Sequence, residues 1–166
     1  MARLAKHTSV PQIAPPPFAA HEQVAARRPV LLWIDDFEPG LALYQVMFER
    51  LGFLVLTASS GEIGLKLAEQ HAVDIVVTDF EMPKMNGEAV ATTIKALKPG
   101  TPVVLFTGST LVPQSARRAV DACCDKAGSR DQLLATLNRL LHKKHTRTLQ
   151  PPPSAPASHD RHRTVA

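Results

Sequence analysis

The sequence of residues 75–87 is IVVTDFEMPKMNG, and this stretch decides the fold. Its first four residues are apolar or β-branched, as in a strand that is buried on both faces of a parallel sheet. The strand ends at Asp79, and a turn containing Pro83 and Gly87 leads into a helical pattern. Doubly wound folds bind ligands at the carboxyl edge of such a sheet. We therefore expect Asp79 to lie at a binding edge, where its carboxylate could accept a phosphoryl group.

The same alternation of strand and helix continues on both sides of this stretch. Further strands are predicted at residues 30–34, 53–58, 102–107 and 122–125, and helices at about 41–51, 61–71, 87–97, 113–120 and 130–142. The residues expected to face the core from the first three helices are Leu41, Tyr44, Met47, Phe48, Leu51, Ile63, Leu67, Val90, Ile94 and Leu97. Five strands alternating with five helices predict an α/β fold with a parallel sheet, and right-handed crossovers place helices on both faces.

The predicted domain is residues 29–142, flanked by two tails that we expect to be disordered. Residues 1–28 form a proline-rich basic arm, and residues 143–166 form a basic tail rich in proline, histidine and arginine. The formal net charge of the chain is +4, but residues 30–142 carry thirteen acidic against ten basic side chains. The positive charge therefore resides in the ends and is poor evidence for a nucleic-acid-binding fold, so that nucleic acid is an unlikely partner.

Two adjacent cysteines, Cys123 and Cys124, cannot build a disulfide framework, and we expect both to be small buried residues of the fifth strand. They fit a reducing compartment, and the cytoplasm is the expected location. No apolar run is long enough for a membrane span, and residues 1–20 lack the apolar core of a secretory signal. A membrane is therefore not an expected partner.

Polar side chains follow four of the five predicted strands. The first strand ends at Asp35 and Asp36, the third at Asp79, the fourth at Thr107 and the fifth near Lys126. Because all carboxyl ends of a parallel sheet lie on one edge, we expect these residues to converge. Three carboxylates repel one another unless a cation intervenes, and hard oxygen ligands favour Mg²⁺. Asp79 would then attack phosphorus, while Lys126 and Thr107 would supply a charge and a hydroxyl to phosphoryl oxygens.

With these residues in place, residues 30–142 resemble the receiver domain of two-component response regulators, which are bacterial signalling proteins. The resemblance rests on Asp35-Asp36, on Asp79 within TDFEMPKMNG, on Thr107 in FTGS and on Lys126 in CDKAG. It implies a flavodoxin-like five-stranded parallel sheet in the order 2-1-3-4-5.

The resemblance also implies the role of each site residue. Asp79 would receive the phosphoryl group from a phosphohistidine of a sensor histidine kinase or a histidine phosphotransfer protein. Asp36 would bind Mg²⁺ directly and Asp35 mostly through water, with the backbone carbonyl of Glu81 as a further ligand. Thr107 would move toward the phosphoryl group, and Lys126 would bridge to it. The protein would catalyse only its own phosphoryl transfer and slow self-dephosphorylation, and so would not be an enzyme in the usual sense.

Two positions depart from the family pattern. The aromatic switch residue expected three positions before the lysine is replaced by Cys123, and the proline expected after the lysine is replaced by Ala127. A non-proline cis peptide bond there would cost about 2.5–4 kcal/mol. The Lys126–Ala127 bond is therefore either trans, with a different loop, or cis with its cost absorbed. Output through the usual surface of the fourth helix and fifth strand is in question.

Four functions are compatible with these residues. The first is a stand-alone phosphoacceptor that switches the binding of a downstream partner, whose identity and the oligomeric state the sequence does not give. The alternative is a receiver-like binding module whose switching is degenerate or independent of phosphorylation. An aspartyl phosphatase is a third class, disfavoured because no insertion is long enough for a substrate-covering cap. Weak electrostatic binding of nucleic acid or an acidic partner by the basic tails is a fourth.

Overall fold

The computed structural model describes residues 27–149 and the side chains of residues 27–146. The predicted disorder of residues 1–26 and 150–166 lies outside the described residues. The strands are β1 (Val30–Ile34), β2 (Leu54–Ala58), β3 (Ile75–Thr78), β4 (Val103–Thr107) and β5 (Ala122–Asp125). The helices are α1 (Glu38–Arg50), α2 (Gly61–Gln70), α3 (Gly87–Leu97), α4 (Gln114–Ala119) and α5 (Arg130–Leu149).

The five strands form one parallel sheet in the order β2-β1-β3-β4-β5, which confirms the predicted fold. Strand β1 lies between β2 and β3, and its Leu31 is paired with Val55 of β2 on one side and with Ile75 of β3 on the other. The acid-bearing strands β1 and β3 are therefore adjacent in the middle of the sheet. This adjacency is what brings the carboxylates at their ends together.

Alternate residues of the central strands face two separate cores. Leu31 and Trp33 face α1 and α5, whereas Leu32 and Ile34 face α2 and α3. All four side chains are fully buried. Because successive side chains of a strand point to opposite faces, a continuous apolar run is what a strand covered on both sides requires. Each large buried side chain contributes about 1.5–3 kcal/mol relative to an exposed one.

Some helix boundaries and faces differ from those predicted. Helix α1 begins at Glu38 rather than after Gly40, because Pro39 occupies the first turn, where its missing N–H leaves no hydrogen bond unmade. Leu51, Ile63 and Leu97 were expected in the core but are 41%, 44% and 47% exposed. Leu51 and Leu97 lie at the C-terminal ends of their helices, whereas Ile63 is exposed because Gly61, Gly64 and Ala68 form the buried face of α2.

Helix α5 continues seven residues past its predicted end at His142 and reaches Leu149. No proline or glycine interrupts the chain between His142 and Leu149, and Pro151 is the next helix breaker. The segment at residues 143–149 is therefore helical, although it was assigned to the disordered tail. Within residues 27–149, no helix combines the length and the hydropathy that crossing a membrane requires.

Candidate functional site

Three carboxylates converge at the carboxyl edge of the sheet. Asp35 and Asp36 follow β1, Asp79 follows β3, and one carboxylate oxygen from each lies within 4.8 Å of the others. Asp35 and Asp79 are 2% and 8% exposed, whereas Asp36 is open to solvent. The structure thus brings together the three acids that the strand ends predicted.

Lys126 completes the group, which we call the acceptor cluster (Asp35, Asp36, Asp79 and Lys126). Its Nζ lies 2.8 Å from Oδ2 of Asp35 and 3.0 Å from Oδ2 of Asp79. Burial alone would lower the pKa of Lys126, but the hydrogen bonds and charges of Asp35 and Asp79 outweigh it and raise the pKa. The ammonium is therefore firmly charged, and it offsets part of the repulsion between the two buried carboxylates.

Backbone N–H groups fix the orientation of both buried acids. The N–H of Phe80 donates to Oδ1 of Asp79 at 2.7 Å, and the N–H of Phe37 donates to Oδ1 of Asp35 at 3.0 Å. Each carboxylate thus uses one oxygen for the backbone and the other for Lys126. Charge-assisted hydrogen bonds of this kind hold a carboxylate in one rotamer.

Thr107 and Glu81, the two remaining predicted site residues, lie on the same edge. Thr107 is buried at the end of β4, and its hydroxyl oxygen accepts a hydrogen bond from the N–H of Ser109 at 3.1 Å. Its carbonyl accepts from the N–H of Lys126 at 3.0 Å, so the ends of β4 and β5 are joined directly beside the cluster. Glu81 is exposed in the turn after β3.

The turn after β3 is packed closely against Asp79. A Cβ added at Gly87 would lie 2.2 Å from the carbonyl oxygen of Asp79 and 2.8 Å from Cδ1 of Leu105. The N–H of Gly87 donates to the carbonyl of Phe80 at 3.0 Å, which closes the turn. Within the turn, Lys84 has φ of +66°, a left-handed conformation uncommon for a residue with a Cβ. Gly87 is therefore required by close contact rather than by backbone freedom.

The oxygen atoms of the acceptor cluster fit a hard divalent cation. Three carboxylates and one ammonium give a formal charge of −2, and Mg²⁺ needs only one or two carboxylates while keeping several waters. The exposure of Asp36 leaves space for those waters. Asp35, Asp36 and Asp79 are accordingly the side chains that could hold the ion.

Two aromatic residues beside the cluster were not predicted as functional. Phe37 directly follows Asp36 and is 63% exposed. Tyr44 was predicted to be a core residue of the first helix, but it is only half buried and shares a cavity of about 210 Å³ with Lys126. Burial raises the pKa of Tyr44, while the charge of Lys126 acts in the opposite direction. An aromatic residue next to a site acid was the only sequence signal available for Phe37.

The two departures from the family pattern have structural outcomes. Cys123 is exposed, contrary to the prediction that both cysteines are buried, and Cys124 is half buried. The reason is that β5 is the edge strand and α4 is only six residues long, so little covers that face. Among residues 27–149 no peptide bond is cis, so Lys126 and Ala127 are joined by a trans bond.

A comparison with protein-family models matches residues 31–138 to the response regulator receiver domain. The chain belongs to the receiver domain family. The match covers the five-stranded sheet except Val30, and it includes α5 only as far as residue 138. Receiver domains are the signalling domains of two-component systems, and the acceptor cluster lies within the matched residues.

Several bacterial signalling proteins contain a segment similar to this receiver domain. The virulence sensor protein BvgS of Bordetella bronchiseptica is 35% identical over 89% of this chain, which spans 13% of that protein. The autoinducer 1 sensor kinase/phosphatase LuxN of Vibrio campbellii is 33% identical over 75% of this chain, which spans 14% of it. The transcriptional regulatory protein GlrR of Escherichia coli is 28% identical, and the chain spans 30% of its length.

Solved receiver structures have the same fold. A response regulator receiver domain from Clostridium thermocellum is 27% identical, with a TM-score of 0.67, and the match covers 72% of this chain and 98% of that one. The response regulator TrrA of Thermotoga maritima, solved in complex with Mg²⁺ and a beryllium fluoride, is 26% identical with a TM-score of 0.64. That match covers 68% of this chain and 98% of TrrA.

Proposed function

We propose that this receiver domain is a phosphoacceptor that takes a phosphoryl group onto Asp79 from a phosphohistidine of a sensor histidine kinase or a histidine phosphotransfer protein. The observation that carries the proposal is the acceptor cluster, in which Asp79 lies within 4.8 Å of Asp35 and Asp36 and 3.0 Å from Lys126. A buried acid with one cation and two further acids around it is suited to phosphoryl transfer by positioning and charge neutralisation.

In the transfer step, a carboxylate oxygen of Asp79 forms a bond to phosphorus, and the bond between phosphorus and the imidazole nitrogen breaks. The electron pair of that bond stays on the imidazole, which leaves as neutral histidine after taking up a proton from water. Lys126 then pairs with a phosphoryl oxygen, and the Thr107 hydroxyl donates to another. Mg²⁺ held by Asp36, Asp79, the carbonyl of Glu81 and, through water, Asp35 would neutralise phosphoryl charge.

The donor would dock on the apolar side of α1. Leu43 and Val46 are 64% and 50% exposed, and with Met47 they follow the spacing of one helix face. They line a cavity of about 260 Å³ together with Arg50, Leu51 and Arg130. We call this surface, with the adjoining cavity that holds Tyr44 and Lys126, the α1–α5 groove.

The α1–α5 groove fits a helix of the donor. Met47 and Arg130 line both of its cavities, so the two cavities adjoin between Leu51 and Lys126. An amphipathic helix laid in it would bury its apolar face, as helix-in-groove complexes do. A histidine at the end nearest Lys126 would then lie beside Asp79. The donor is therefore expected to be a helical phosphohistidine protein.

The test is chemical modification of Asp79. The full chain is incubated with Mg²⁺ and phosphoramidate, a small donor with a nitrogen–phosphorus bond, and its intact mass is followed. We expect one phosphoryl group to be added and then released by hydroxylamine, which cleaves acyl phosphates. Asp79→Asn should remain unmodified, whereas Glu62→Gln, an exposed acid in the first turn of α2, should label like the wild type. Equal labelling of Asp79→Asn would overturn the proposal.

The absence of an aromatic residue at position 123 supports a second candidate, a binding module that does not respond to phosphorylation. In that case, phosphorylated and unphosphorylated chains would bind their downstream partner equally.

The free cysteines Cys123 and Cys124 are consistent with the expected cytoplasmic location. Turnover is limited to transfer onto Asp79 and slow release, so neither candidate is an enzyme acting on a separate substrate.

A further inference from the structure

The aromatic side chains of the sheet lie on the face opposite to Cys123. Trp33 stacks on Tyr44 with ring centroids 4.2 Å apart and 14° between the ring planes. Phe106 makes edge contacts with both rings, at 5.5 Å from Trp33 and 5.6 Å from Tyr44. Phe48 lies 5.2 Å from Trp33. These four rings form one block between the sheet, α1 and α5, which we call the ring block.

The ring block reaches the acceptor cluster at two points. Tyr44 and Phe106 line the cavity that also holds Lys126, and the charges of Lys126, Asp35 and Asp79 act on the Tyr44 phenol. Phe106 directly precedes Thr107, whose carbonyl bonds to the N–H of Lys126. A movement of either Thr107 or Lys126 therefore displaces a neighbour of the Tyr44 ring.

Tyr44 is also the member of the ring block that reaches the surface. Trp33 and Phe48 are fully buried and Phe106 is 5% exposed, whereas Tyr44 is half buried on the groove side of α1. Aromatic pairs prefer particular offset geometries, so a shift of the Tyr44 ring is expected to shift the rings of Trp33 and Phe106 with it. Close-packed interiors pass on such displacements because they compress little.

By contrast, the surface of α4 and β5 has few packed side chains that could transmit a displacement. Cys123 and Arg117 are exposed there, and α4 buries only Ala116. A cysteine side chain has no ring that could turn between an inward and an outward position. The residues that could report the state of Asp79 therefore lie on the other face of the sheet.

We propose that Tyr44, stacked on Trp33 and beside Lys126, transmits phosphorylation of Asp79 to the α1–α5 groove in place of the aromatic residue that β5 lacks. The inference rests on the proposed phosphoacceptor function. When Lys126 leaves Asp35 for a phosphoryl oxygen, the polar neighbour of the Tyr44 phenol moves away, and the ring resettles against Trp33 and Phe106. The groove that docks the donor thereby differs between the two states, and a partner helix in it distinguishes them.

The experiment uses amide and indole resonances of the full chain, with saturating beryllium trifluoride and Mg²⁺ as the phosphoryl mimic. Fluorine resonances of the bound mimic verify occupancy in each variant. The chain has a single tryptophan, so the Trp33 indole N–H gives one resonance from within the ring block. We expect the mimic to shift this resonance and the amides of Leu43, Val46 and Arg130 at least threefold more than the amides of Arg117 and Cys123.

Variants of Tyr44 then test the transmitting residue. Tyr44→Leu should reduce the groove shifts at least threefold at full occupancy, and Tyr44→Phe, which keeps the stacked ring, should retain more than half of them. Phe53→Leu is the matched control, because Phe53 contacts Phe48 at 5.7 Å but lies outside the cavity that holds Lys126. It should keep the wild-type response.

Two results would overturn the inference while leaving phosphorylation intact. One is a wild-type response that is as large at Arg117 and Cys123 as in the groove. This result does not depend on any variant being correctly folded. The other is an undiminished groove response in Tyr44→Leu. If phosphoramidate fails to label Asp79 and the mimic fails to bind, the proposed function itself is wrong, and the inference falls with it.

Discussion

The ammonium of Lys126 bridges the two buried carboxylates of the site, lying 2.8 Å from Oδ2 of Asp35 and 3.0 Å from Oδ2 of Asp79. A divalent cation bound to Asp35, Asp36 and Asp79 would share these acids with Lys126. The two cations repel each other, and at a partly exposed site such a repulsion is worth about 1 kcal/mol. Lys126 therefore weakens metal binding even though it stabilises the acids.

Lys126→Met should accordingly bind Mg²⁺ more tightly, by about 3- to 10-fold. Titration calorimetry at constant ionic strength measures the affinity. Lys84→Met is the matched control, because Lys84 is an exposed lysine in the turn after β3 and its loss changes the net charge equally. Its affinity for Mg²⁺ should stay within about twofold of the wild type. An unchanged or weaker affinity in Lys126→Met would show that the two cations do not compete.

If the donor docks in the α1–α5 groove, a substitution there should slow transfer from a protein donor but leave labelling by a small molecule unchanged. Val46 is 50% exposed, and Val46→Glu would place a charge in the apolar groove. We expect the rate of transfer from a phosphorylated histidine kinase to fall at least about tenfold, since a central interface residue is commonly worth more than 1 kcal/mol. Labelling by phosphoramidate and Mg²⁺ should change less than about twofold, because Asp79 itself is untouched.

Leu97→Glu provides the control for this prediction. Leu97 is 47% exposed, but it ends α3 on the other face of the sheet, away from the groove. It should transfer at the wild-type rate from both donors. Equal losses in Val46→Glu and Leu97→Glu would argue against docking on α1.

The strands and the acceptor cluster followed from short-range patterns in the sequence, whereas the strand order was implied by the resemblance to receiver domains. Apolar runs ending in acids predicted β1 and β3, and parallel pairing then required Asp35, Asp36 and Asp79 to meet. The N-cap of α2 is equally local, since the Ser60 side chain accepts from the N–H of Ile63. A cap depends only on residues three apart, so the sequence contains it in full.

The sequence did not show which side chains of each helix are covered by neighbouring elements. Ile63 and Leu97 have the spacing of core residues, but periodicity reveals neither that small residues form the buried face of α2 nor where the covered part of α3 ends. Tyr44 fitted an apolar stripe, and only its neighbours, Trp33 and Lys126, show that it connects the core to the site. These neighbours are brought together by the fold and share no local pattern.

Gly87 is the position where the turn after β3 approaches Asp79 most closely. In Gly87→Ala the new Cβ would overlap the carbonyl oxygen of Asp79, which is backbone and cannot move aside as a side chain would. We expect a loss of about 1–3 kcal/mol in the free energy of unfolding, together with slower labelling of a displaced Asp79. Denaturation in urea measures the first effect, and phosphoramidate labelling the second.

Gly100→Ala is the matched substitution, because a Cβ there meets nothing within 4 Å. Replacing glycine by alanine at such an open position reduces the freedom of the unfolded chain, so stability should be unchanged or slightly higher. If both variants unfolded alike, the close approach at Gly87 would not be what restricts that position.

Asp74 joins both ends of the domain on one buried carboxylate. The Arg27 guanidinium donates to both of its oxygens at 2.8 Å, and the N–H of Val30 donates to Oδ2 at 2.9 Å. Lys144 of α5 donates to the Asp74 carbonyl at 3.1 Å, with its Nζ 3.4 Å from Oδ1. Residues 27, 74 and 144 are far apart in sequence, which is why no motif indicated this contact.

Asp74→Asn should lower the free energy of unfolding by about 1–3 kcal/mol at neutral pH. The value is modest because Arg27 is 65% exposed and water screens part of the interaction. Burial by itself would raise the pKa of Asp74, but the hydrogen bonds from Arg27 and Val30 and the charge of Lys144 hold it below its ordinary value. The unfolded chain therefore takes up the proton first as the pH falls.

The sign of the pH dependence follows from this lowered pKa. The contribution of Asp74 is complete above its ordinary pKa of about 3.9 and is lost as the pH falls through the lower pKa of the folded state. The difference in stability between wild type and Asp74→Asn should thus be constant from about pH 7 to pH 5 and shrink below about pH 4. Urea denaturation followed by Trp33 fluorescence measures it. Asp131→Asn, whose side chain is 82% exposed, should show no such difference, and a gap that widens in acid would contradict the assigned role of Asp74.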